Sequence, residues 1–390
     1  MKLIHTIPLA LLLGIAAGCS SLKAIKYARS GSVSQSAFKT EVAFEMRYGL
    51  IVLKVEIHGK EYDFLLDTGA PNIISKELAL QLGIKAAGTG KAGDSQGGSR
   101  RLEFAAIDSI GIGDLQFLNT GAAIADLKQT NEIPCFKVDG MIGSNLMRKA
   151  IWQFDYERHI ITITSNRDSL SIPSNAQTIK FHTDIVGVPL IDVQMNGQTE
   201  QNVIVDLGSN RDFFSSTKTL EKLKEGGLRT DIYSYGYGAT GLFGKGKPDT
   251  TWNALIGSIM LDSLKLSNLV VSFCENKPKT IGTNFFKNYR LVIDWSSGEL
   301  SMIPIRPYDN TSQKEFNFSL FLKDKQVFIG SLLSVGNKVV DGPQLGDQVL
   351  EIDGEDYRSC SGERWCTMLS RRFENTTEEI SLLVKRGDRS

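Results

Sequence analysis

Two aspartates carry the chemistry that this sequence offers most clearly. Asp67 lies in Leu65-Leu66-Asp67-Thr68-Gly69-Ala70, and Asp206 in Ile204-Val205-Asp206-Leu207-Gly208-Ser209. In each motif apolar residues run into a carboxylate, and a glycine two positions on lets backbone approach closely. One such loop does little. Two loops related by a twofold axis would bring the carboxylates together. Like charges at about 3 Å cannot both ionise comfortably, so such a pair shares one proton. The ionised member can deprotonate a water while the protonated member donates to a carbonyl oxygen. That is acid–base hydrolysis of a peptide bond with no metal, cofactor or covalent intermediate.

A duplication supplies the second loop. The two aspartates are 139 residues apart. At the same spacing Ile142-Gly143-Ser144-Asn145 recurs as Ile281-Gly282-Thr283-Asn284, Asp155-Tyr156 as Asp294-Trp295, and Cys135 as Cys274. One offset kept by four landmarks marks an internal repeat. Each copy reads as strands. Ile51, Leu53, Val55 and Ile57 alternate with Val52, Lys54 and Glu56, and His58-Gly59 turns the chain into Phe64-Leu65-Leu66. In the second copy Leu190, Asp192 and Gln194 lead to the turn signal Asn196-Gly197 and then Val203-Ile204-Val205. A helix follows each aspartate: one from about Lys76, capped by Ser75 and stopped at Gly83, the other from about Thr217, capped by Ser215 or Ser216 and stopped at Gly226.

These features resemble the aspartic proteases of the pepsin and retroviral-protease clan over about 41–306. Asp67-Thr68-Gly69-Ala70 matches the retroviral form of the motif. Met141-Ile142-Gly143 and Thr280-Ile281-Gly282 match the paired element that supports each loop. The resemblance implies a mainly β chain: two tandem retropepsin-like β-barrel domains, 42–170 and 175–306, forming one bilobal pepsin-like unit that needs no dimer partner. It implies Asp67 and Asp206 as catalytic residues, a peptide or protein substrate, and glycine-rich flaps over the cleft. Gly97-Gly98 follows Asp67 by 30 residues, and Gly236 follows Asp206 by 30 within Tyr235-Gly236-Tyr237-Gly238. Both are flap candidates, with Tyr235 or Tyr237 placed to touch substrate.

One position departs from the family. The residue after the aspartate ordinarily bears a hydroxyl that hydrogen-bonds across the axis. Thr68 can make its half and Leu207 cannot. Leucine is also bulkier and clears the axis only with local repacking. By the same resemblance Ser209 can hydrogen-bond its aspartate, and Ala70 cannot. Two readings follow: an aspartic-type endopeptidase, or a catalytically degenerate, peptide-binding envelope lipoprotein.

The C-terminal part, about 313–388, resembles a PDZ domain, an α+β fold. Gly342-Pro343-Gln344-Leu345-Gly346-Asp347-Gln348-Val349-Leu350-Glu351-Ile352-Asp353-Gly354 matches the family's G-x-x-x-G-D-x-[IVL]-L-x-[IV]-[ND]-G segment. Glu363 to Phe373 would be the groove helix and Ile380 to Val384 the closing strand. Phe316-Asn317-Phe318 stands where the carboxylate-binding loop would be, with Asn317 in place of glycine. The resemblance implies a peptide ligand added as a strand in the groove; the alternative is a packing domain with a closed groove. Pro304 to Gln313 reads as a linker.

The N-terminus reads as an address. Lys2 precedes the apolar run Ile7 to Gly18, too short to span a bilayer. Ala16-Ala17-Gly18-Cys19-Ser20 resembles a bacterial lipoprotein signal, although Ala16 stands where leucine is usual. The expectation is a signal peptide over 1–19, lipidation of Cys19, a tether over 20–41, and membrane anchoring in the cell envelope, at the periplasm or outer membrane. In that oxidising setting Cys360 and Cys366 either pair or stay free. Cys135 and Cys274 are expected as buried thiols, with a bridge across the axis as the other possibility.

Composition excludes some classes. The 390 residues carry 44 basic and 44 acidic side chains, which gives no electrostatic case for nucleic acid. Hydrophobic residues at 41% and charged residues at 23% are those of a globular chain. The four histidines form no metal-binding spacing. Gly93 to Gly98 misses a serine-protease motif by the inserted Gln96. Gly236 to Gly241 fits G-x-G-x-x-G without the strand and helix a dinucleotide site needs. Asp155 and Asp294, near turns, read as structural.

Overall fold

The computed structural model describes residues 26–27, 29–311, 316–336, 342–374 and 379–387. The chain is mainly β. Each aspartate ends the second strand of a hairpin. Leu50–Ile57 pairs antiparallel with Lys60–Asp67 around His58 and Gly59, both at positive φ, as a two-residue hairpin loop requires. Pro189–Met195 and Gln198–Asp206 repeat the arrangement around Asn196 and Gly197. The alternation seen in 50–57 becomes a strand with Leu53, Val55 and Ile57 buried and Lys54 and Glu56 exposed.

The aspartate strands are then gripped from the side. Lys60–Asp67 runs parallel to Gly140–Gly143, with Asp67 opposite Gly143. Gln198–Asp206 runs parallel to Thr280–Gly282, with Asp206 opposite Gly282. After each aspartate the chain loops over this short strand and pairs with its far side through Ile73–Ser75 or Phe213–Ser215. The crossing is close. A Cβ on Gly143 would lie 2.4 Å from Ala70 O, and one on Gly282 would lie 2.4 Å from Arg211 O, so only glycine fits at either point. The helices follow as their sequence signals require: Lys76–Gln81 capped by Ser75, and Thr217–Glu225 capped by Ser216.

A shared ladder joins the halves. Ile151–Asp155 pairs antiparallel with Tyr289–Asp294, and Gln153 stands opposite Val292. These two residues are 139 apart, so the pseudo-twofold axis passes between them. Ile160–Thr164 and Lys39–Arg47 continue the ladder on one side, Glu299–Pro304 and Gln177–Lys180 on the other. One buried core runs through both halves, with Trp152, Phe154, Phe285 and Phe286 at its centre. Asp155 and Asp294 cap the turns that follow them, each accepting N–H donors from residues two and three positions on. The C-terminal unit has a separate core around Val327, Ile329, Val349, Tyr357 and Trp365, under strands Phe318–Lys323, Gln326–Val335, Gln348–Ile352 and Leu382–Lys385 and helix Gly362–Glu374.

Several expectations need correction. The expected linker is packed over its described residues: Tyr308 Oη donates to Asp212, and the Asn310 side chain closes both hydrogen bonds on Val270. The expected tether is likewise tied down in part, because Ser32–Val33 pairs with Leu115–Ala125 and Lys39–Arg47 is a ladder strand. The signal segment and Cys19 lie outside the described residues. The cysteines pair differently too. Cys135 bonds Cys366, 231 residues away, leaving Cys274 and Cys360 as buried thiols. The reason is packing. The short 3-10 turn Ile133–Phe136 of the first half sits against helix Gly362–Glu374, where Tyr48 Oη donates to Cys366 O and Asn131 Nδ2 donates to Leu322 O.

Candidate active site

The two loops meet at their carboxylates. Gly69 N donates to Asp67 Oδ1 at 2.8 Å, and Gly208 N donates to Asp206 Oδ1 at 3.0 Å. Each carboxylate also lies over the opposite glycine. A Cβ on Gly69 would stand 2.9 Å from Asp206 Oδ1, and one on Gly208 would stand 2.5 Å from Asp67 Oδ1. The two carboxyls hydrogen-bond each other, which requires one of them to carry a proton. Burial pushes Asp67 up to about 6 against the opposing pull of its Gly69 N–H bond. Asp206 is raised well above the ordinary carboxylate range, first by burial and then by the charge of Asp67. The pair therefore holds one proton between its two carboxyls, with both raised above the ordinary carboxylate range by burial and Asp206 further by the charge of Asp67.

The axis is held from one side only. Thr68 Oγ1 donates to Val205 O at 2.6 Å and accepts from Leu207 N at 2.8 Å. Leu207 is fully buried in the common core and returns no such bond. Behind the loops the halves match again: Ser144 Oγ donates to Thr68 O at 2.5 Å and Thr283 Oγ1 to Leu207 O at 2.9 Å. The main chain repeats this, with Ser144 N on Ala70 O and Thr283 N on Ser209 O. The expected bond from the Ser209 hydroxyl to Asp206 is not made. Ser209 reaches Asp206 through its own N–H, on the carbonyl oxygen at 3.3 Å.

The first flap candidate lies at the tip of a hairpin. Gly88–Gly93 and Ser99–Ile112 form a hairpin with Gly97 and Gly98 at its tip, where Asp94 Oδ1 accepts from Gln96 N and Gly98 N. The second differs. Tyr235 and Gly236 belong to strand Ile232–Gly236, paired on one side with Asp249–Ile256 and on the other with Gln326–Val335 of the C-terminal unit. The Tyr237 ring packs on Phe321 with centroids 4.9 Å apart. These tyrosines therefore anchor the C-terminal unit and do not cap a free hairpin. The roof on this side is the excursion beyond Gly238, whose Thr240–Gly241 and Gly244–Lys245 form a small ladder. The two roofs touch: Phe243 N donates to Asp94 Oδ2 at 2.8 Å.

Arg211, Lys277 and Gln96, which cluster beside Gly238, were not among the residues the sequence marked for the site. Arg211, five residues after Asp206, is an electrostatic neighbour of that carboxylate and lays its guanidinium 4.4 Å from the Phe214 ring centre. Burial pushes the Arg211 guanidinium below its ordinary value. A Cβ on Gly238 would lie 3.4 Å from Gln96 Oε1, 3.8 Å from Arg211 Nη2 and 4.0 Å from Lys277 Cε. The available signal was the asymmetry of the repeat. The counterpart of Arg211 is Asn72, which spends its whole side chain on the backbone: Oδ1 accepts from Gly143 N and Nδ2 donates to Gly121 O.

Residues 53–146 match a family model described as aspartyl protease. The match spans Asp67 and its supporting Gly143 and identifies an aspartic peptidase-like domain in this part of the chain. No curated protein matches the chain.

Proposed function

We propose that the chain is an aspartic-type endopeptidase in which two tandem retropepsin-like halves form one pepsin-like unit, each giving one aspartate. The observation that carries this reading is the proton-sharing contact of two buried carboxyls on equivalent loops. Asp67, ionised, takes a proton from a water held between the pair. The water oxygen attacks the peptide carbonyl while Asp206 donates its proton to the carbonyl oxygen. Return of protons to Asp206 and to the amine nitrogen lets the C–N bond break and regenerates the pair. The flap tip at Asp94–Gly98 and the facing loop at Phe243 close over this reaction and must part to admit substrate. Both halves lie in one chain, so no dimer is needed.

The C-terminal unit is read as PDZ-like. Its strand Phe318–Lys323 pairs on one edge with Gln326–Val335. Asn131 and Cys135 of the first half take up contacts on that strand and on helix Gly362–Glu374. A peptide ligand would enter the groove only where this contact leaves room, and bracing of the first half is the role better supported. For the N-terminus we keep the lipoprotein reading: cleavage before Cys19, lipidation there, and anchoring in the bacterial envelope.

A second reading, a degenerate peptide-binding envelope lipoprotein, rests on the missing hydroxyl at Leu207. One experiment separates the two. Purified protein is incubated with a diverse peptide library from acidic to neutral pH beside Asp67→Asn and Asp206→Asn. Cleavage by the native chain alone is expected. No cleavage at any pH overturns the peptidase reading, and cleavage unchanged in both variants overturns the assigned site.

A further inference from the structure

The cleft beside Asp206 holds positive charge that hydrolysis does not require. The side chains of Arg211 and Lys277 converge on one stretch of the facing loop: a Cβ on Gly238 would lie 3.8 Å from Arg211 Nη2 and 4.0 Å from Lys277 Cε, and one on Gly246 would lie 2.9 Å from Lys277 Nζ. Neither forms a salt bridge among the described residues, and Arg211 rests on the Phe214 ring within the field of Asp206. Arg211 is held out of water there, and Lys277 stands half-buried beside it. Against the same stretch lies the amide of Gln96, only 8% exposed, whose Oε1 has no hydrogen-bond partner. A buried orphan acceptor calls for a donor that is absent from the free protein. The repeat sharpens the point. At the equivalent place in the first half Asn72 is used up in holding the loop. In the second half the backbone holds the loop, with Gly282 N on Asp212 O and Asn284 N on Arg211 O, and the side chain is released into the cleft.

We propose that Arg211 and Lys277, with Gln96, form a subsite for a carboxylate carried by the peptide next to the scissile bond. One acidic peptide residue meets both demands: its main-chain N–H serves Gln96 Oε1, and its carboxylate takes the guanidinium in a two-point contact with Lys277 beside it. Arg211 is thus a specificity-determining residue. The proposal rests on the cleft being a peptide site, as read above. Two chemical sources supply the carboxylate: the side chain of an internal Asp or Glu, or the free C-terminus of a chain.

The test uses the full protein and matched peptides that differ at single positions by Glu, Gln or Lys, each with a free or an amidated C-terminus. The readout is the ratio of kcat/KM for the Glu peptide over its Gln twin, taken within one variant so that a general loss of activity cancels. In the native protein one position is expected to favour Glu by about tenfold or more. The ratio is expected to fall towards one in Arg211→Met, to shrink in Lys277→Met, to survive in reduced form in Arg211→Lys, and to turn towards Lys peptides in Arg211→Glu. A preference that vanishes on amidation assigns the subsite to a chain end; one that follows an internal Glu assigns it to a side chain. A native ratio near one at every position, or a ratio that Arg211→Met leaves unchanged, overturns the proposal. A parallel arm measures binding of the same peptides, fluorescently labelled, to Asp67→Asn. If the native chain cleaves nothing, the peptidase reading falls while this arm still decides the subsite. About tenfold tighter binding of the acidic peptide, lost with Arg211→Met, supports it, and equal binding overturns it.

Discussion

The two aspartate loops have the same path and different fastenings. In the first, side chains do the holding: Thr68 bridges the axis to Val205 and Leu207, and Asn72 ties the loop to Gly121 and Gly143. In the second, Leu207 contributes apolar bulk to the core, and the loop rests on backbone bonds, on the Thr283 hydroxyl behind it and on what Thr68 gives it. Yet the carboxylates still meet. The lesson is that duplicated loops share a scaffold in the paired strands and supporting glycines, so one copy can lose a polar fastening without losing the geometry. The freed position then becomes available for something else, as Asn72 and Arg211 illustrate.

This comparison can be broken most directly at the shared centre. Asp67→Asn and Asp206→Asn are each expected to lower cleavage by about 10²–10⁴-fold, measured as kcat/KM, because either removes one partner of the acid–base pair. Unequal fastening is tested next. Asn72→Ala strands Gly143 N–H in the interior while Gly121 O keeps its bond from Asn145 Nδ2, a loss of about 1–3 kcal/mol in denaturant unfolding, whereas Arg211→Ala is expected to leave stability nearly unchanged. Thr68→Val orphans Val205 O and Leu207 N–H and is expected to cost about 2–3 kcal/mol. Equal costs at positions 72 and 211 would refute the division of labour drawn here.

The shared proton gives a pH test. Cleavage is expected to rise as pH passes through about 6, where the pair loses its first proton, and to fall once it releases the second. Stability runs the other way. Above the ordinary carboxylate range the unfolded chain has given up its proton while folded Asp206 retains it, so stability is lost as pH rises towards the raised value. Asp206→Asn removes that loss. Its Tm is expected to exceed the native value by on the order of 5 °C at neutral pH and to match it near pH 3. The smallest effect is at Leu207→Thr, which restores a hydroxyl while giving up buried volume: a gain of a few-fold in kcat at a stability cost of about 1–2 kcal/mol.

Much of this was legible because it is local or periodic. The alternation in 50–57, the paired turns at His58-Gly59 and Asn196-Gly197, the serine caps and the constant spacing all express short-range rules that neighbouring residues satisfy by themselves. The aspartate meeting was legible because a repeat implies an axis. What was hidden depends on partners distant in sequence. Cys366 found Cys135 because the turn at Ile133–Phe136 packs on its helix, and no spacing records that contact. Tyr235 and Tyr237 lie in a glycine-rich run that could cap a flap, but the strand Gln326–Val335 needed an edge to pair with and took theirs. Tyr308 and Asn310 sit in a stretch with loop composition, yet their polar groups match Asp212 and Val270. Arg211 was obscured by its own loop, where attention falls on the aspartate.

The Cys135–Cys366 bond also changes what a cut chain is. It closes a covalent ring of backbone around the whole second half, its roof loop and most of the C-terminal unit. A single peptide-bond scission anywhere between those cysteines leaves one molecule, and where the cut falls before Asp206 the two aspartates stay joined through sulfur alone. Such a nicked protein would run as the full chain on a non-reducing gel and separate into two fragments only after a thiol is added, so self-cleavage within the ring is invisible until the bond is reduced.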